Sequence, residues 1–151
     1  VINIDTKVGG HMHDLTTGGN VSALLLLAEH ESCTGAYFSL PCGTWSALRH
    51  IRPGPPVLRA MPHHARGIPR GDGSYPPAIV KANAVADAAA LVAEAVLARG
   101  MPVTFESPVG RGRGSAFAID GRESHADMFT YPTLRSSPSH AGTASSASTS
   151  T

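Results

Sequence analysis

The strongest constraint on the fold is a stretch that opens at Pro76-Pro77 and is closed by Gly100 and Pro102. Within it Val85, Ala89, Val92 and Val96 recur at i, i+4, i+7 and i+11, one stripe of a helix, while Lys81, Asp87 and Glu94 fall elsewhere on the wheel. Proline suits the first helical turn, and a glycine followed by proline stops a helix, so chemistry as well as period sets these boundaries. The many alanines imply close approach to a sheet. Directly afterwards Val103-Thr104-Phe105-Glu106 reads as a strand stopped at Ser107-Pro108. Upstream, Gly35-Ala36-Tyr37-Phe38-Ser39-Leu40 reads as a buried strand that delivers Pro41-Cys42-Gly43 at its carboxyl end. Strand, crossover with helix, and strand form a βαβ unit, whose right-handed crossover makes the two strands parallel. The fold class is therefore predicted to be α/β.

The remaining organisation is less regular. Residues 1–4 are rich in β-branched side chains and end at Asp5, which suits a strand whose carboxyl end meets solvent. Because they read as the second half of a buried strand, the chain is expected to be a piece of a longer protein. Gly9-Gly10 and His11-Met12-His13-Asp14 form a turn region, and Asn20 or Ser22 would cap a helix running from Leu24 to Glu31. Residues 43–77 hold seven of the 12 prolines and no sustained apolar period, the mark of a long irregular loop. Phe117 to Ile119 suits a short strand or helical turn. Residues 136–151 are almost entirely Ser, Thr, Ala, Gly and Pro and lack apolar side chains to offset ordering entropy, so they read as a disordered tail. One α/β domain over residues 1–135 and a tail over 136–151 is the expected division.

Composition narrows the function classes. With 151 residues there is room for one core, and 12 basic against 11 acidic residues give a net charge of +1, so no whole-chain field draws in nucleic acid. A local cluster does exist: Arg49, His50, Arg52, Arg59, His63, His64, Arg66 and Arg70 stand against the single acid Asp72. Two cysteines are too few for a disulfide framework or a four-thiolate zinc site, which favours a reducing, intracellular compartment without secretion. The longest apolar run, Ala23 to Ala28, is far short of the roughly 20 residues of a membrane helix.

Ligands of open parallel sheets sit at the carboxyl ends of the strands, and the predicted strand ends carry Asp5, Cys42 and Glu106. A cysteine there is a candidate nucleophile within reach of a carboxylate from the neighbouring strand. Free cysteine is equally a small core residue; the two readings stand side by side for Cys42, and the core reading leads for Cys33.

These residues also resemble a known family. Ser39-Leu40-Pro41-Cys42 with Gly43-Thr44-Trp45-Ser46 is similar to the Pro-Cys loop of DNA (cytosine-5) methyltransferases, and Thr104-Phe105-Glu106-Ser107-Pro108-Val109 resembles their Glu-Asn-Val strand. Ile4-Asp5 resembles the acidic strand end that holds the ribose of S-adenosylmethionine, and His13-Asp14-Leu15 resembles the turn near its adenine. Variant methylase-like domains of mobile-element polyproteins look closer, sharing the Pro-Cys loop, a Gly-Pro-Pro segment and a Glu-x-Pro-Val strand. Ser107 replaces the family's Asn, Gly43 its usual Gln, and the Gln-x-Arg-x-Arg strand has no counterpart.

The resemblance implies a partial Rossmann-like methyltransferase sheet, mostly parallel, with helices on its faces. It implies Cys42 as nucleophile toward a flipped cytosine in DNA and Glu106 as the group that stabilises the activated ring. It further implies Asp5, Asp14 and Pro41 at an S-adenosylmethionine site. Arg49, Arg52, Arg111 and Arg113 are the candidate nucleic-acid contacts, the last two within a Gly-Arg loop. The alternative is a non-catalytic nucleic-acid-binding remnant, or a structural module of a larger polyprotein.

Three further patterns weigh less. His11 with His13, and His63-His64, lack a second ligand pair at zinc spacing, so no metal is expected. His125 and Asp127 would complete a Cys-His-Asp hydrolase with Cys42, without a supporting flanking motif. Trp45 suits either base stacking or the core.

Overall fold

The computed structural model describes residues 1–46, 49, 55–61, 63–106, 124–125, 128 and 131–136. Helices α1 (Thr6–Gly9) and α2 (Gly18–Glu29) precede strand β1 (Ala36–Ser39). Strand β2 (Ala60–Met61), helix α3 (Pro77–Ala98), strands β3 (Val103–Glu106) and β4 (Ser124–His125), and helix α4 (Pro132–Ser136) follow.

The predicted helix is the centre of the molecule. Pro77 sits in its first turn, and Gly100, at φ 72°, closes its carboxyl end with its amide donating to Leu97 O at 2.8 Å. Ala89, Val92 and Val96 of the stripe are buried, and so are Ala82, Ala86, Ala90 and Ala93. Burial spreads beyond one stripe because α3 is covered from several sides. Ala28, Leu24 and Leu25 of α2 pack on Val92 and Val96, while Leu40, Trp45, Met128, Tyr131 and Leu134 pack on Ala82, Ala86, Ala89 and Ala90. Alanine at these positions lets the aromatic side chains approach the helix backbone.

The βαβ unit forms as predicted. β1 and β3 pair in parallel, Ala36 opposite Val103, Tyr37 opposite Thr104, Phe38 opposite Phe105 and Ser39 opposite Glu106. Phe38 and Phe105 stack with ring centroids 4.7 Å apart and turn toward the core, whereas Tyr37, Ser39, Thr104 and Glu106 stand exposed on the other face. The sheet thus follows the two-residue alternation of a half-buried strand rather than burial on both faces.

The fold departs from expectation elsewhere. Residues 1–4 form no strand; Ile2 is 67 % exposed, and the segment pairs with no strand among the described residues. β-branched residues favour strands only where a ladder exists to receive them, and Asp5 instead caps α1, its Oδ1 accepting from Lys7 N at 2.8 Å. The parallel sheet accordingly has two strands among the described residues, within a mixed arrangement of helices and strands.

α2 begins at Gly18, earlier than expected. Asn20 caps nothing; its side-chain amide donates to His11 O and Asp14 O, both at 2.9 Å, and so ties the preceding turn to the helix. Within the stretch expected to be irregular, β2 pairs antiparallel with β4. Residues 117–119 and 137–151, the latter nearly all of the expected tail, lie outside the described residues; Ser136 closes α4. No helix among the described residues is long and apolar enough to cross a membrane.

Candidate functional site

The parallel register places Ser39 beside Glu106, so the carboxyl ends of β1 and β3 finish together. From Ser39 the chain passes through buried Leu40 and exposed Pro41 to a single 3-10 turn, Cys42–Thr44, closed by Trp45 N donating to Cys42 O at 2.9 Å. Cys42 is exposed, which removes the core reading, whereas Cys33 is half-buried against Val92 and Val96. Cys42 and Glu106 therefore leave the same end of two adjacent parallel strands, the end at which such sheets present ligands.

Glu106 is held by its neighbours. Tyr37 Oη donates to Oε2 at 2.6 Å from the adjacent strand, and the Ser39 hydroxyl bonds the same carboxylate. The Tyr37 bond, then the Ser39 bond, hold the carboxyl below the usual glutamate range, while the same contact with Glu106 pushes the Tyr37 phenol up. Sequence reasoning missed Tyr37. Its signal was present in the strand period, since residues 37, 39 and 106 share a face once the register is known.

The Cys42 turn is anchored from below. Thr44 is buried, and its Oγ1 accepts from Arg59 Nε at 3.2 Å; Arg49 donates to Gly43 O and to Pro56 O. Arg59 is only 2 % exposed. Its Nη1 donates to Ala65 O at 2.6 Å, its Nη2 to Asn83 Oδ1 of α3 at 2.7 Å, and its guanidinium carbon lies 4.0 Å from the Trp45 ring centroid. Burial is the main cause that lowers its pKa to about 10, with Arg66 adding to the effect and Tyr131 opposing it, so the group stays charged at neutral pH.

Beside it Asp87 accepts from Tyr131 Oη at 3.0 Å and Thr133 Oγ1 at 2.8 Å, and pairs with Arg66 at 3.2 Å. Burial and then the Asp87 bond push the Tyr131 phenol up. Three members of the basic cluster thus make contacts within the molecule: Arg59, Arg66 and Arg49 bind the proline-rich loop to itself and to α3, with Arg59 buried and Arg66 exposed. Trp45 is 1 % exposed and belongs to the core, not to a stacking surface.

Asp5 and Asp14 lie in the turns that precede α2 in the chain. Asp14 closes a turn, its Oδ1 accepting from Thr16 N at 3.0 Å and Thr16 Oγ1 at 2.8 Å, with Lys81 Nζ of α3 at 3.6 Å from Oδ2. The Thr16 bonds, with a smaller contribution from Lys81, hold its carboxyl below the usual range. His13 Nδ1 is 3.2 Å from both the amide nitrogen and the carbonyl oxygen of Asp5, which brings the two acidic turns together. Neither aspartate belongs to the parallel sheet, so the expected row of three strand-end residues reduces to Cys42 and Glu106.

Arg52, Arg111, Arg113 and Asp127 lie outside the described residues, and only the backbone of His125 is described, in β4. Among the described residues no three of His, Cys, Asp and Glu are grouped to hold a metal ion. Protein-family models, curated proteins and solved structures yield no match to the chain.

Proposed function

We propose that this chain is a methyltransferase-like domain of the cytosine-5 type, with Cys42 as nucleophile and Glu106 as the group that binds the activated ring. The single observation that carries the reading is the parallel register of Ser39 with Glu106, with an exposed Cys42 one short turn beyond. An exposed thiol and a fixed carboxylate at one sheet end suit a planar ring that one group attacks and the other holds.

The chemistry follows from the two groups. The Cys42 thiolate adds to ring carbon 6, forming an S–C bond and pushing an electron pair toward carbon 5. Glu106, ionised at neutral pH, accepts from the exocyclic amino group and, as ring nitrogen 3 takes up a proton from solvent during the attack, accepts a hydrogen bond from that N–H. S-adenosylmethionine, when bound, supplies an electrophilic methyl group for carbon 5. Loss of the carbon 5 proton to water then expels the Cys42 thiolate, and return of the nitrogen 3 proton to solvent restores the ring. Asp5 fits a ribose by the chemistry of its exposed carboxylate, which keeps acceptor capacity beyond its bond to Lys7 N. The Asp14 oxygens are already engaged by Thr16 and Lys81, which makes it the weaker partner.

The non-catalytic nucleic-acid-binding reading draws less support, because Arg49, Arg59 and Arg66 make internal contacts. The test is trapping. With S-adenosylmethionine and an oligonucleotide carrying 5-fluorocytosine, fluorine in place of the carbon 5 proton blocks the final elimination, and a covalent adduct accumulates. The expected result is an adduct mapped to Cys42 by mass spectrometry and abolished by Cys42→Ser. Retained DNA binding with no adduct overturns catalysis and favours the binding remnant.

A further inference from the structure

Tyr37 is 64 % exposed, yet its hydroxyl does not face water alone: it reaches diagonally across the parallel pair to Glu106. In the register Tyr37 opposes Thr104, and Ser39 opposes Glu106, so tyrosine, serine and glutamate share one uncovered face. Such diagonal neighbours lie within reach of an aromatic side chain. At 2.6 Å the contact has the length of a hydroxyl donating to an ionised oxygen.

We propose that Tyr37 is the positioning residue of this site, its hydroxyl fixing the Glu106 carboxylate at the rim of the sheet so that its remaining lone pairs accept from an amino-bearing base ring. The inference rests on the methylase-like reading of Cys42 and Glu106 and adds a residue that the Pro-Cys and Glu motifs do not contain. A solvated glutamate at a strand end samples several rotamers and must lose that freedom when a base binds. A glutamate already held by a neighbouring strand loses less, which is the usual gain from preorganisation. Among the described residues the two groups that face Glu106 are Tyr37 and Ser39, both from β1, and neither is charged at neutral pH. Both donate to the carboxylate, so both favour its ionised form.

The consequence is a pH effect of definite sign. Glu106 is ionised above a pKa held low by Tyr37 and Ser39; without the tyrosine hydroxyl that pKa rises, and the ionised fraction falls at a given mildly acidic pH. The experiment compares the 151-residue chain with Tyr37→Phe, which keeps the ring, and uses Glu106→Gln to assign the carboxyl resonance. Two quantities are followed: the carbon-13 titration of Glu106, and the pH profile of adduct formation with the 5-fluorocytosine oligonucleotide.

The expected result is a Glu106 midpoint displaced upward in Tyr37→Phe. The acid limb of trapping should move upward with it, while alkylation of Cys42 by iodoacetamide is unchanged. An unmoved Glu106 midpoint overturns the role of Tyr37 even where the wild-type chain is trapped, leaving the functional reading intact. A displaced midpoint with an unchanged trapping profile also overturns it, because the carboxylate would then be held to no catalytic effect. If the wild-type chain forms no adduct, the functional reading falls. The role of Tyr37 is then decided by cytidine titration of the Glu106 resonance: weaker cytidine binding in Tyr37→Phe supports it, and equal binding overturns it.

Discussion

The Arg59 guanidinium carbon lies over the Trp45 ring, 4.0 Å from its centroid, while its three nitrogens donate to Thr44, Ala65 and Asn83. One side chain thereby joins the Cys42 turn, the proline-rich loop and the central helix. All three hydrogen-bond acceptors are neutral, and the rings of Trp45 and Tyr131 add electrostatic compensation for a buried cation. Replacing Arg59 by alanine leaves Thr44, the Ala65 carbonyl and Asn83 without their donor and opens a void beside Trp45. A loss of about 2–5 kcal/mol is expected in urea unfolding. Arg59→Lys recovers only part of it, because an ammonium group cannot reproduce the planar fork. A variant as stable as the wild type would show that the loop is held by other contacts.

Gly67 carries a second stability prediction. It is buried at φ 125°, and a Cβ built there would come within 2.6 Å of Ile79 Cγ2, itself fully buried in the first turns of α3. Both the backbone conformation and the space demand glycine. Gly67→Ala should destabilise the chain by about 1–3 kcal/mol through strain and overpacking. Gly71→Ala, where nothing lies within 4 Å of the added carbon, serves as the control and should change little. Thermal unfolding followed by circular dichroism separates the two.

The elements legible in the sequence are those whose signal is local. Pro76-Pro77 and Gly100 bracket α3 by backbone chemistry, and the short runs before Pro41 and after Pro102 read as strands because each ends at a breaker. From these the parallel pairing follows because two strands joined through a helix must cross over, and with it the exit of the Cys42 loop and Glu106 at the same end of the sheet.

What escaped depends on partners far apart in the chain. Arg59 reads as one of a solvated basic cluster until Thr44, 15 residues before it, and Asn83, 24 residues after it, close around it. Residues 1–4 have strand composition, but composition cannot supply the neighbouring strand that would accept their hydrogen bonds. Tyr37 shows the same limit in milder form: its face was readable, but its partner required the register.

The exposure of Cys42 bears most directly on chemistry. Cys42 opens its turn in solvent, whereas Cys33 is half-buried against α3 and its Sγ lies 3.8 Å from Gly35 O. Under native conditions iodoacetamide should modify Cys42 several-fold faster than Cys33, and the difference should vanish in urea. Peptide mapping of the alkylated chain measures both sites in one sample. Thr44→Val adds the structural half of the experiment. It removes the acceptor that Arg59 uses to hold the turn without removing the turn's buried volume, so it should change the Cys42 rate while leaving that of Cys33 unaltered. Equal rates at the two cysteines in the native wild-type chain would contradict the exposed strand-end thiol on which the proposed nucleophile depends.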